Sequence, residues 1–143
     1  MLEIEDAEHA ETAPDAPDLF ITRLSCSLND QAYPIQVIPG TLAHQIYGTE
    51  EIIEEFRCNY GLNPEYRDKI SKSGLTISGI DVGGEVRMIE LSNHRFFIAT
   101  LFLPQLSSRL DKPHCLIVSF VRAAETYNQE MRQGLISPST HGE

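Results

Sequence analysis

The run Phe96-Phe97-Ile98-Ala99-Thr100-Leu101-Phe102 is apolar at nearly every position, has strand length, and stops short of Pro104. Such a run predicts a sheet-core strand covered on both faces rather than one alternating between core and water. It therefore points to an α/β fold, in which functional groups gather at the carboxyl ends of the strands. For this strand that end is Leu103-Pro104-Gln105. Cover on both faces is a heavy demand, because the rest of the chain predicts only three short helices. A partner chain, self-association into a homo-oligomer, or a rearranged sheet is expected to supply it.

The flanking sequence fills in the elements. Residues 1–18 carry seven acidic side chains among Ala and Pro and read as an acidic, flexible leader in which His9 is an exposed spectator. Leu19 to Leu28 alternates, with Phe20, Thr22, Leu24, Cys26 and Leu28 on one face, which predicts a half-buried strand with Cys26 as a small core residue. Tyr33 to Ile38 predicts a second strand, and Thr41 to Tyr47 a short helix capped by Thr41, stopped by Gly48 and carrying a surface His44. Glu50 to Phe56 fits a helix or a strand, its glutamates reading as a solvated face. Asn63-Pro64 starts a helix that Gly74 closes. Leu75 to Glu90 reads as a β-hairpin about Asp81-Val82-Gly83-Gly84. Beyond the apolar run come a polar loop through Pro113 and a helix headed by His114. Leu116, Phe120, Ala124 and Tyr127 form its stripe, expected to pack on the sheet. Residues 129–143 read as a flexible tail.

Bulk properties narrow the function classes. With 143 residues, 41% of them hydrophobic, the chain fits one domain with a real core. A net charge of −10 with no basic cluster argues against nucleic acid as a partner. There is no apolar run of membrane-spanning length and no secretory n-region or h-region, so a cytoplasmic location is expected, without a membrane partner. Three scattered cysteines without a C-x-x-C pair read as reduced thiols. No metal site or cofactor is predicted.

Residues 85–124, from Glu-Val-Arg-Met-Ile-Glu-Leu to Ser-Phe-Val-Arg-Ala-Ala, resemble the end of the class I glutamine amidotransferase domain of CTP synthase. Pro39-Gly40-Thr41-Leu42-Ala43, Tyr47-Gly48 and the segment Arg57 to Arg67 resemble the same domain in the same order. The resemblance spans about residues 20–127 and about half of such a domain. It implies an α/β fold: a partial class I glutamine amidotransferase-like (flavodoxin-like) mixed sheet with flanking helices and a β-hairpin, occupying residues 19–128. The family uses a cysteine in a Gly-x-Cys-x-Gly elbow, activated by a His that a Glu orients in Phe-His-Pro-Glu. Here those four positions read Phe102-Leu103-Pro104-Gln105, and a leucine cannot accept a proton nor a neutral amide stabilise an imidazolium. None of the three cysteines has an elbow context, and the family's elbow would lie before this chain begins.

The glutamine-binding segment of the family corresponds to Glu55 through Gly61, which keeps Arg57 and Tyr60. Arg57, Cys58 and Tyr60, with Ser107 and Arg109 from the loop beside the strand end, are the candidate ligand-pocket residues. Cys58 reads as an inert filler or as a relocated reactive thiol, and the lack of a histidine near it in sequence favours the first. The implied function is that of a degenerate binding or interaction module without glutaminase activity. The alternative is a subunit or fragment of a CTP synthase-type amidotransferase in pyrimidine biosynthesis whose nucleophile comes from other sequence. A third reading is a thiol protein. The chain also resembles stand-alone relatives of the CTP synthase C-terminal region, some of them selenoproteins, at Leu24 to Leu28 and Tyr60 to Asn63.

Overall fold

A computed structural model describes residues 7–24 and 27–136. Cys26, read above as a core residue, lies outside the described residues, as does the tail from 137 on. Eight strands and four helices follow one another: β1 (Glu8–His9), β2 (Leu19–Arg23), β3 (Gln31–Val37), α1 (Leu42–Tyr47), β4 (Glu51–Phe56), β5 (Tyr60–Leu62), α2 (Arg67–Lys72), β6 (Leu75–Asp81), β7 (Val86–Leu91), β8 (Ile98–Thr100), α3 (Pro104–Ser107) and α4 (Cys115–Arg132). A 3-10 turn, Pro64–Tyr66, leads into α2. The strands form a five-stranded sheet in the order β4-β3-β6-β7-β8 and a three-stranded sheet in the order β1-β2-β5. All pairings in the larger sheet are antiparallel, and among the described residues the one parallel pairing is β1 with β2.

The apolar run does not form a central strand. Only Ile98–Thr100 is paired, with β7 alone, at the sheet edge. Phe102 is fully buried against Phe56, Phe96 lies against Phe120 of α4 and Phe97 is exposed, so the residues of the run do not share one environment. The middle of the sheet is β3-β6-β7. Close packing there depends on Gly79, where an added Cβ would lie 2.5 Å from Met88 Cε and 3.1 Å from Ile35 Cγ2. The register between β6 and β7 shifts at this glycine.

The core is Leu28, Ile35, Val37, Ala43, Phe56, Met88, Phe102 and Leu116, with Phe56 and Phe102 edge to face at 5.9 Å. Helix α1 is tied to the sheet through the first-turn backbone N–H groups that have no partner within the helix. Thr41 Oγ1 accepts from His44 N at 3.1 Å, and the Glu90 carboxylate of β7 accepts from Leu42 N at 2.8 Å and Ala43 N at 3.1 Å. The hairpin turn is built as its sequence predicts. Asp81 Oδ1 accepts from Gly83 N and Glu85 N, and Gly84 takes φ 81°.

Two further expectations need revision. The acidic leader adds β1, whose His9 ring lies 5.1 Å from that of Tyr60, so His9 is a packing residue rather than a spectator. Helix α4 runs to Arg132 but does not lay its stripe on the sheet. Leu116 is its buried residue, whereas Ile117, Phe120, Val121 and Tyr127 are exposed.

Candidate functional site

Three places carry groups capable of chemistry. The first is the turn after β8. Leu101 N donates to Arg87 O, and Leu103 N donates to Glu55 O at 3.2 Å, which sets the start of α3 beside the end of β4. Pro104 opens α3, and Leu103 as its N-cap supplies no side-chain cap. Leu103 is half-buried and Gln105 exposed. Arg57 follows β4 directly and pairs with Asp30 at 3.0 Å, both exposed. The Cys58 thiol donates to Tyr60 O at 2.9 Å and accepts from Tyr60 N at 3.4 Å, which is a local turn rather than a catalytic contact. The Tyr60 ring is taken by His9 and by the Arg23 guanidinium, 5.9 Å from its centroid. Ser107 Oγ donates to Pro104 O at 3.5 Å, and Arg109 N donates to Lys112 O. Thus Leu103 is brought to the strand that leads into Arg57 and Cys58, while Ser107 and Arg109 hold the loop after α3.

The second place was missed by sequence reasoning. Glu54 on β4 is buried, and its Oε1 accepts from Tyr47 Oη of α1 at 2.7 Å and from His114 Nε2 at the head of α4 at 2.8 Å. His114 Nδ1 accepts from Leu116 N at 3.2 Å, so it is the N-cap of α4 and its proton is on Nε2. The adjoining residue is Cys115. Imidazole, carboxylate and thiol therefore meet here, as in a nucleophilic triad. The bonding denies that chemistry, because His114 has one nitrogen accepting from backbone and the other donating to Glu54, leaving no lone pair for a thiol proton. Burial pushes the Cys115 thiol up, with the Glu54 charge adding to it against hydrogen bonds that lower it. Burial and the Glu54 carboxylate raise the Tyr47 phenol far above its ordinary value. The junction is a lock between α1, β4 and α4. A signal for it did exist: on a strand, Glu54 shares a face with Ile52 and Phe56.

The third place is the buried pair of Asp81 and Arg87, where Asp81 Oδ2 accepts from Arg87 Nε at 3.0 Å and from Nη2 at 2.6 Å. Arg87 lines two clefts, a small apolar one and a larger one of about 460 Å³ beside β2 and β5. Among the described residues no group of three or more His, Cys, Asp or Glu is placed to hold a metal ion, and no helix is long and apolar enough to cross a membrane.

The antiparallel five-stranded sheet with its β6–β7 hairpin, the turn after β8 and the helix that follows are the features to set beside the fold expected from the resemblance. The solved structures agree. The fold matches "Trypanosoma brucei CTPS - glutaminase domain with bound acivicin" with a TM-score of 0.79 at 23% identity, over 87% of this chain and 53% of that one. It also matches a putative GMP synthase protein from Thermoplasma acidophilum, with a TM-score of 0.58 at 12% identity, over 78% and 51%. The particular relationship comes from sequence. The chain is 38% identical over 136 residues to CTP synthase of Carboxydothermus hydrogenoformans, covering 88% of this chain and 25% of that protein. It is 43% identical over 97 residues to CTP synthase of Archaeoglobus fulgidus, covering 67% and 18%. No protein-family model matches. The chain is a homologue of the C-terminal, glutaminase part of CTP synthase, and it spans about a quarter of the length of the first of these curated relatives.

Proposed function

We propose that this chain is a catalytically degenerate relative of the CTP synthase glutaminase domain, acting in the cytoplasm as a binding or interaction module. The observation that carries this reading is the turn after β8, where the resemblance places a histidine and its orienting glutamate and this chain has Leu103 and Gln105. Hydrocarbon and amide leave no proton acceptor there. The one imidazole beside a described cysteine, His114, is spent on Glu54 and on the cap of α4.

Acivicin, bound by the solved glutaminase domain, is the direct probe. Intact mass after incubation of the chain with acivicin is expected to show no adduct. An adduct that glutamine protects against, and that Cys58→Ala, Cys26→Ala or Cys115→Ala removes, would overturn the proposal.

The exposed apolar residues of α4 support the interaction half of the reading, since Phe120 and Tyr127 stay exposed although Phe96 and Arg95 lie against their rings, and Val121 is exposed as well. Light scattering is expected to show an oligomer, and a strict monomer would remove that support. One observation favours a second reading, a subunit or piece of an active amidotransferase: the chain spans 53% of the matched glutaminase-domain chain. Copurification with a polypeptide bearing Gly-x-Cys-x-Gly and appearance of glutaminase activity in that complex would decide for it.

A further inference from the structure

Arg87 is buried, yet its Nη1 has no hydrogen-bond partner among the described residues. The rest of the guanidinium is fixed. Nε and Nη2 are both on Asp81 Oδ2, and Asp81 Oδ1 is filled by two backbone N–H groups of the hairpin turn, so Asp81 has nothing left to offer Nη1. Buried donors in folded proteins are paired with protein, water or ligand, and an unpaired one marks a place where an acceptor belongs.

The surroundings say what kind. Nη1 lies 3.5 Å from the point where a Cβ on Gly61 would sit, and Leu24 Cδ2 lies 2.6 Å from that same point. Leu24 is a wall of the cleft of about 460 Å³ that Arg87 also lines, together with Thr22, Arg23 and Tyr33. Residues that carry hydroxyl and guanidinium groups therefore line the same cleft as Arg87. Asp81 and Glu85 border it too, which disfavours a multiply charged anion.

We propose that this cleft binds a small molecule through a carboxylate, with Arg87 Nη1 as the anchor, Arg23 at the rim, and Leu24 as the side chain that yields to admit it. A carboxylate carries a single charge, is planar, and matches the N–H edge of a guanidinium. Asp81 acts as the preorganiser, holding the arginine so that this edge stays in place. The site does not depend on whether the chain hydrolyses glutamine, because it uses none of Leu103, Gln105, Cys58 or His114.

The test uses the full chain labelled with nitrogen-15. Sodium acetate is titrated at constant ionic strength while the side-chain resonances of Arg87 are followed, with inorganic phosphate and methylammonium chloride as comparisons. The expected result is a saturable shift with acetate, weaker binding of phosphate, and none of methylammonium. Leu24→Ala is expected to tighten acetate at least threefold. Arg23→Gln, at an exposed position, is expected to weaken it about threefold, and Gly61→Ala, which crowds Leu24 against the anchor, at least tenfold. Arg87→Lys is expected to abolish binding, with the melting curve read in parallel to separate lost binding from lost fold. No saturable shift in the folded wild-type chain, or binding that Gly61→Ala and Arg23→Gln leave unchanged, would show that Nη1 holds water only. Tighter binding of phosphate than of acetate would overturn the ligand class.

Discussion

The turn after β8 and the junction at the head of α4 make an instructive pair. The turn has the position that the resemblance assigns to proton transfer, but Leu103 and Gln105 have no group for it. The junction has the groups, with an imidazole, a carboxylate, a phenol and a thiol gathered around Glu54, but each polar atom of His114 is already used to hold the fold. A list of residue types near one another would have chosen the junction as an active site. Accounting for lone pairs assigns it to structure instead.

That contrast can be broken by mutation, with stability as the readout. The largest effect is expected for Glu54→Ala, which strips the acceptor from Tyr47 and His114 and should cost about 3 kcal/mol in urea unfolding. His114→Ala removes the α4 cap and one donor to Glu54, for about 2 kcal/mol. Leu103→Ala, at a half-buried position, should cost about 1 kcal/mol. Gln105→Ala should stay within about 0.5 kcal/mol. A reversed order, with Gln105 costly and Glu54 cheap, would show that the roles of the two regions have been exchanged.

The pH dependence sharpens the same contrast. Burial raises Cys115 and Tyr47 in the fold, so the native state holds those protons more tightly than the unfolded chain does. Their contribution is present in full below the ordinary thiol value, about 8.5, and declines as pH climbs beyond it. Stability is therefore expected to fall in alkali, and Cys115→Ser should remove part of that slope. At neutral pH, iodoacetamide should modify Cys115 far more slowly in the native chain than in urea. Equal rates would mean that the thiol is activated or exposed.

Much of this was legible in the sequence where local chemistry decides it. Thr41 and Gly48 bound α1, Asn63-Pro64 begins the turn into α2, and Asp81 to Gly84 make the hairpin, each through backbone bonds within a few residues. The strand at 96–102 was not legible, because an apolar run does not say whether its residues share one environment, and here Phe97 and Phe102 do not. Helix α4 failed for a related reason. Its stripe states what the helix can bury and is silent about whether anything in this chain covers it. The pocket expected around Arg57, Cys58, Tyr60, Ser107 and Arg109 came from resemblance rather than pattern, and in the fold each of these residues bonds within its own segment or to a packing neighbour. Glu54 and His114 are sixty positions apart, and their pairing is a property of the tertiary fold.

The proposal of a degenerate glutaminase relative rests on there being, among the described residues, no base placed for a thiol. The decisive measurement is ammonia release from glutamine by the purified chain beside a variant with Cys26, Cys58 and Cys115 all changed to alanine. The same background rate is expected for both. Turnover by the wild-type chain that the triple variant loses would make the chain an active glutaminase.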